Sequence, residues 1–553
     1  MLAMDVAVVE SANGAVSRDL GLLVGENYEI MLKESIERFL EQCRKGISDF
    51  SDFSSIFFRL LHARVDPPLE IIWFYSAVSF RGGNFVGHDP QSRVLMAKDL
   101  FQLLAGCSAS CNGLKSIAVL APVLFELYQS VVDLPEKKLS SKAEKKLTRE
   151  IEGLIEGIVS YISICCSKGS DEEDASVTLL PCFTNLIRVW MTDRLEQDQD
   201  VREDMRMLFP LVSEDILRGL AGGECQVGYL AGVVIVEAFL LRLCLRFRAG
   251  LSREELGKDL RTGAVGSVTG FRNFYFFENL ARMLLEPTLP VTLLLNSEDG
   301  AFLRGVLYDV VILVEYSFLN PENGIHPSAD RMRTLAITRL IVAHEAIRVV
   351  KVNGDHKTAI SYINAFARSH LPSQLIRWVT DQIGMEGKKN RPNASTPQAL
   401  VKWMLNLEDR GIKVFDHDIA KFHHKLVFDM RVDNEFSVSK SDSQLGDGDL
   451  PFYIDNKGEE ENEVEGDQEM IESMDAAFLA AAHTMNFTAN DRRRKQREGR
   501  VEGEKQVKFI KYQRHDDSAK GKFPSSTDVD GQSSSASEVE NPFSDEDMEE
   551  NEQ

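Results

Sequence analysis

Three groups of side chains in this 553-residue sequence have the types that reaction chemistry or metal binding needs. Asp416-His417-Asp418 with His423-His424 offers the oxygen and nitrogen donors that a divalent cation takes. On a helix His417 and His424 share a face, yet seven residues at about 1.5 Å each hold them roughly 10 Å apart. Two ligands at that separation do not chelate one ion. His344-Glu345-Ala-Ile-Arg348 begins like a zincin helix but has arginine where the second histidine ligand belongs. Cys107 and Cys111 are one helical turn apart and lack the second pair that a zinc site uses. No phosphate-cradling glycine loop, dinucleotide fingerprint or nucleophile elbow occurs in a usable context. These residues read as satisfied surface or core positions. The expectation is a non-enzyme with no catalytic residue, no metal and no cofactor.

The remaining chemical signals are recognition signals, and they lie near the C-terminus. Arg492, Arg493, Arg494, Lys495 and Arg497 form a compact cationic run without an acid among them, the type read by nuclear import receptors. Phe509 and Tyr512 alternate with lysines, a pattern that stacks on single-stranded bases. The acidic neighbours would repel phosphates, so a nucleic-acid role for this basic segment is disfavoured. Asn541-Pro542-Phe543 resembles the tripeptide that EH domains of endocytic adaptors bind. Ser544, followed by Asp545-Glu546-Asp547, resembles the acceptor of acid-directed casein-type kinases, where phosphate would add roughly −1.5 to −2 charge. Between these motifs and the body, Ile471, Met474, Phe478, Ala481 and Met485 recur on one helical face. A short helix over about 468–487 would present that face to a partner or to the body.

These signals need a scaffold, and its organising stretch is 227–247. It is apolar nearly all round, which marks a helix buried on every side. Glu237, Arg242 and Arg246 shorten its uncharged run below the roughly 18 residues of a membrane span. Around it the 3.6-residue period recurs at 27–45, 53–64, 69–80, 93–105 and 142–166, then at 302–318, 329–351, 357–369 and 373–383. A single helix is expected over 201–220, with Pro210 inside it. Ser141-x-x-Glu144 and Ser252-x-x-Glu255 are capping boxes. Thr396 with Pro397 opens a helix that Gly411 stops. No succession of period-2 strands appears before Met430, so the fold class is all-α.

The segments 116–132 and 176–191 align with each other on Pro122 and Pro181. Leu120 then meets Leu179, Leu124 meets Phe183, and Leu127 meets Leu186. A proline inside an apolar helix kinks it, and paired kinked helices resemble those of HEAT and armadillo arrays. The resemblance concerns class only, and the 59-residue offset exceeds the roughly 40–47 of those repeats. It implies an armadillo/HEAT-like α-solenoid, with a large helical bundle as the other all-α architecture.

Charge separates body from tail. Residues 441–475 carry net −12, 491–522 carry +6 and 523–553 carry −10, with neutral stretches between. Of the net −23, only −7 belongs to residues 1–430. The expected organisation is a flexible 1–25, a helical body over 26–430 and a disordered charged tail over 431–553. Eight cysteines in no framework spacing point to a reducing compartment. The first residues show no basic region ahead of an apolar block, so no secretory signal is expected. Together these features describe a nuclear, also cytoplasmic, scaffold with protein partners and no membrane.

Overall fold

Helix boundaries in this protein sit where a capping side chain, a proline or a glycine interrupts the apolar period. The computed structural model describes residues 13–415, apart from 48, 63–65, 83–89, 135–140, 169–176, 192–200, 222–224, 320–327 and 384–395. All of these belong to the first of two units, Met1–Leu445 and Gly446–Gln553. Among the described residues the only extended pairing is an isolated antiparallel bridge between Thr178 and Gln226. The chain is all-α.

The first four helices are α1 (Asn13–Arg44), α2 (Ser51–His62), α3 (Leu69–Gly82) and α4 (Pro90–Cys107). α1 starts at Asn13 rather than near 27. Phe39 of α1 meets Phe50, Phe53 and Phe74 at ring-centroid distances of 4.6, 5.7 and 5.6 Å, which joins α1, α2 and α3. Pro90 occupies the first position of α4, where its missing N–H is no loss.

The same rule corrects the expected kinks. In place of one bent helix over 116–132 there are two, α5 (Gly113–Ala118) and α6 (Ala121–Asp133), with Pro122 in the first turn of α6. The break at Val119-Leu120 frees a carbonyl that the Trp73 indole N–H takes at 3.2 Å. α7 (Ser141–Ser167) is long and continuous, and Pro181 lies in the turn just before α8 (Phe183–Met191). Both aligned prolines therefore start helices. Pro210 likewise divides the single helix expected over 201–220 into α9 (Val201–Leu208) and α10 (Glu214–Ala221). A proline cannot donate its turn's hydrogen bond, so a helix with nothing to compensate restarts beyond it.

α11 (Val227–Arg246) runs through the middle of the body, with eighteen of its twenty residues buried. Arg242 and Arg246 are the two that reach out, and both donate to Glu156 of α7 at 2.8 Å. α5, α6, α7 and α10 pack around it, as do α12 (Arg253–Phe271) and α13 (Phe274–Met283). The closest approach falls at Gly232, where a Cβ would lie 2.6 Å from the Tyr275 Cβ of α13. Two stretches, Gly113–Asp133 and Val227–Ala249, are long and apolar enough to cross a membrane by composition. Both are packed mostly inside the body.

Capping is well marked in the last third. Ser252 and Glu255 exchange the reciprocal bonds of a capping box at the start of α12. Asn296 caps α14 (Ser297–Ile312), and Asp355 caps α16 (His356–Arg368). Thr396 caps α18 (Pro397–Glu408), accepting from the Ala399 N–H at 3.2 Å. Between them α15 (Ala329–Val352) gathers α13, α14, α16, α17 (Leu371–Ile383) and α18 against itself.

Candidate functional site

Several sites expected from sequence lie outside the described residues: the import run Arg492, Arg493, Arg494, Lys495 and Arg497, the docking face Ile471, Met474, Phe478 and Met485, and Ser544. So do Asn541-Pro542-Phe543 and the cluster Asp416, His417, Asp418, His423 and His424. The zincin-like residues are on α15. There Arg348 grips Glu345 through two bonds of 2.7 and 3.0 Å, while His344 is buried beside them. Glu345 is thus engaged by the arginine that replaces the second histidine. Among the described residues no three metal-ligand types come together.

The cysteines are placed as small hydrophobes. Cys111 is buried with its Sγ 3.9 Å from the Pro67 carbonyl, and burial pushes its thiol up to about 12. Burial raises Cys166, Cys182 and Cys225 to about 12 as well, and Cys244 in α11 moves in the same direction. Since the thiolate is the reactive form, these side chains are poor nucleophiles at neutral pH.

Buried carboxyls hold the proline turns. Leu211, which follows Pro210, donates its N–H to Glu237 Oε1 of α11 at 2.8 Å. Leu180, which precedes Pro181, donates to Glu70 Oε1 of α3 at 2.6 Å. A turn that ends one helix and starts another leaves N–H groups without intrahelical partners, and each glutamate satisfies one of them. Burial drives both carboxyls above the ordinary carboxylate range, Glu237 well above it, with the donated N–H pulling the other way. Lys115 of α5 makes a similar tie, its Nζ lying 2.6 Å from Asp66 and 3.4 Å from the Pro67 carbonyl. Arg188 reaches the buried Asp204 at 3.1 Å and so joins α8 to α9. Each of these groups joins two segments of the body.

The surface group that sequence reading missed is on α7. Lys142, Lys145, Lys146 and Arg149 are all exposed and line a shallow trough of about 560 Å³ together with Glu150. Their i, i+3, i+4, i+7 spacing sets them on one face, while Leu147, Ile151, Ile155, Ile158 and Ile162 turn inward on the other. Lys146 lies 3.8 Å from Glu150, a loose pair. Glu144, the acid of the first turn, acts on Arg248 beyond the end of α11. The signal is in the sequence as four cations at helical spacing, in a stretch whose helix and capping box alone are read from the sequence. Compared with family models, with curated proteins and with solved structures, the chain matches none.

Proposed function

We propose that this protein is a non-enzymatic nuclear scaffold, whose helical body binds partner proteins and whose C-terminal segment carries import and docking signals. The observation that carries the reading is the run Arg492-Arg493-Arg494-Lys495-Gln-Arg497, six residues with five cations and no acid, beyond an all-α body. The body's inward-facing charges tie its elements together, which suits a rigid platform. A chromatin, DNA-repair or ribosome-assembly setting fits such a platform.

Two packing patterns bear on the finer architecture. Six helices around α11 and five gathered on α15 support a large helical bundle, whereas an armadillo- or HEAT-like array would pack each helix chiefly on its sequence neighbours. The face carrying Ile471, Met474, Phe478 and Met485 serves as a docking helix, and phosphorylation at Ser544 adjusts the acidity of the end of the chain. Nucleic acid is not the expected ligand of the basic tail segment, and a membrane is not an expected partner.

Deleting 492–497 from a tagged full-length chain tests the reading. Nuclear accumulation is expected to fall to the level of passive entry, and an unchanged nuclear signal would refute it. An alternative, a cytoplasmic trafficking adaptor, uses Asn541-Pro542-Phe543. It requires an EH domain to bind the full chain and to lose that binding on Phe543→Ala.

A further inference from the structure

We propose that the ridge formed by Lys142, Lys145, Lys146 and Arg149 on α7 is a docking site for a run of aspartates and glutamates in a partner protein. The proposal rests on reading the body as a binding platform, and it names the chemistry that one face of the platform accepts.

The first argument is an uncompensated electrostatic cost. Cations at i, i+3 and i+4 sit about 5–6 Å apart on a helix surface and repel one another. That spacing is shorter than the roughly 8 Å screening length at physiological ionic strength, so salt does not remove the repulsion. These cations also crowd the first turns of a 27-residue helix, where the backbone dipole already favours anions. Among the described residues one carboxylate lies within ion-pair distance of these four cations. Glu150 approaches only Lys146, at 3.8 Å, and Glu144 acts on Arg248. Among the described residues Lys142, Lys145 and Arg149 have no ion-pair partner within 4 Å. A ligand bearing several negative charges relieves all of these terms together.

The second argument is dimension. The ridge spans seven residues of helix, about 10 Å. An extended peptide rises about 3.3 Å per residue, so three or four successive residues cover that length. An acidic run therefore sets its carboxylates opposite the cations, with Arg149 able to take one in bidentate fashion. The trough of about 560 Å³ along the ridge accommodates short acidic side chains. A nucleic-acid duplex fits less well, because such interfaces commonly neutralise about 6–10 phosphates. The ridge has four cations, with Glu150 among them. A lipid surface needs a broad basic plane, whereas this is a single helix face.

The test uses the full-length chain and a fluorescein-labelled decaglutamate peptide, read by fluorescence anisotropy at low and at physiological salt. The variant carries Lys142→Glu, Lys145→Glu, Lys146→Glu and Arg149→Glu together. All four side chains are exposed, and acids near a helix N-terminus favour the helix, so the fold is retained; a matching thermal melt verifies this. A second variant replaces the same four residues by glutamine. The wild-type chain is expected to bind the peptide more weakly as salt rises. The glutamate variant should lose on the order of tenfold or more in affinity, and the glutamine variant should fall between. A 20-base-pair duplex and phosphatidylserine vesicles, run in parallel, should show no comparable dependence on the ridge. Equal peptide affinity for wild type and glutamate variant would overturn the proposal. So would a ridge-dependent loss seen only with the duplex or only with the vesicles. Loss of this peptide binding leaves nuclear accumulation untouched, so failure here and failure of the scaffold reading are read separately.

Discussion

Replacing Gly232 with alanine should destabilise this protein although alanine is the better helix former. A Cβ at that position would lie 2.6 Å from Tyr275 Cβ, 2.7 Å from the Tyr275 carbonyl carbon and 2.9 Å from the Phe276 nitrogen. Carbon atoms in contact prefer about 3.5–4.0 Å, so α11 and α13 must part by roughly an ångström at their closest point. Two of the three clashing atoms belong to the backbone, which cannot swing aside as a side chain does. Overpacking of this type costs about 1–3 kcal/mol, and the upper end applies here. Improved helix propensity returns about 1 kcal/mol, for a net loss of about 2 kcal/mol. Gly153 and Gly157 of α7 provide the contrast, since nothing lies within 4 Å of a Cβ built on either. Alanine at those two should stabilise by about 0.5–1 kcal/mol each. Thermal unfolding followed by circular dichroism reads both effects on the full chain. Gly232→Ala should melt a few degrees below wild type, and Gly153→Ala and Gly157→Ala slightly above it. A Gly232→Ala protein melting at or above wild type would refute the packing of α11 against α13.

Other consequences follow from the buried groups. Burial raises the Glu237 carboxyl above its ordinary 4.5, so the folded protein holds that proton more tightly than the unfolded chain does. The group's contribution to stability is then complete below about pH 4.5 and declines as pH rises toward the folded value. Glu237→Gln keeps an acceptor for the Leu211 N–H but has no proton to lose. Its melting temperature relative to wild type should therefore climb between pH 4.5 and 7.5, and a flat or falling difference contradicts the assignment. Glu237→Ala removes both the acceptor and packed volume and should cost about 2–4 kcal/mol at pH 4.5 and less as pH rises, measured by urea denaturation. Cys111, Cys182 and Cys225, with thiols raised by burial, should react with iodoacetamide many times faster in urea than in the native protein; equal rates would place them at the surface. Thr396→Ala should cost about 1 kcal/mol through the lost cap of α18, seen as faster hydrogen exchange in that helix alone.

How much of this was legible in the sequence depends on whether the cause is local. Thr396 with Pro397, Ser252 with Glu255, and the all-round apolar run that became α11 act within a few residues, and each lies where its pattern predicts. Pro122 and Pro181 read from sequence as kinks, and Pro210 as lying inside one helix. Whether a proline bends a helix or begins one depends on what takes the freed backbone groups. Here the partners are Trp73, Glu70 and Glu237, which come from other helices and leave no mark near the prolines. The α7 ridge escaped for another reason. A lysine-rich helix start looks like an ordinary solvated face, and only the structure shows that, among the described residues, Lys142, Lys145 and Arg149 have no ion-pair partner within 4 Å. The tail motifs lie outside the described residues and remain sequence readings.

The claim on which the rest depends is that this chain works by presenting helical surfaces to partner proteins inside the nucleus. Cross-linking mass spectrometry on the full-length tagged chain in intact nuclei addresses it most directly. Lysine-reactive cross-links to partner proteins are expected on the body, with Lys142, Lys145 and Lys146 among the sites. A chain found wholly in the cytoplasm, or one whose partner cross-links avoid residues 13–415 entirely, would contradict the account.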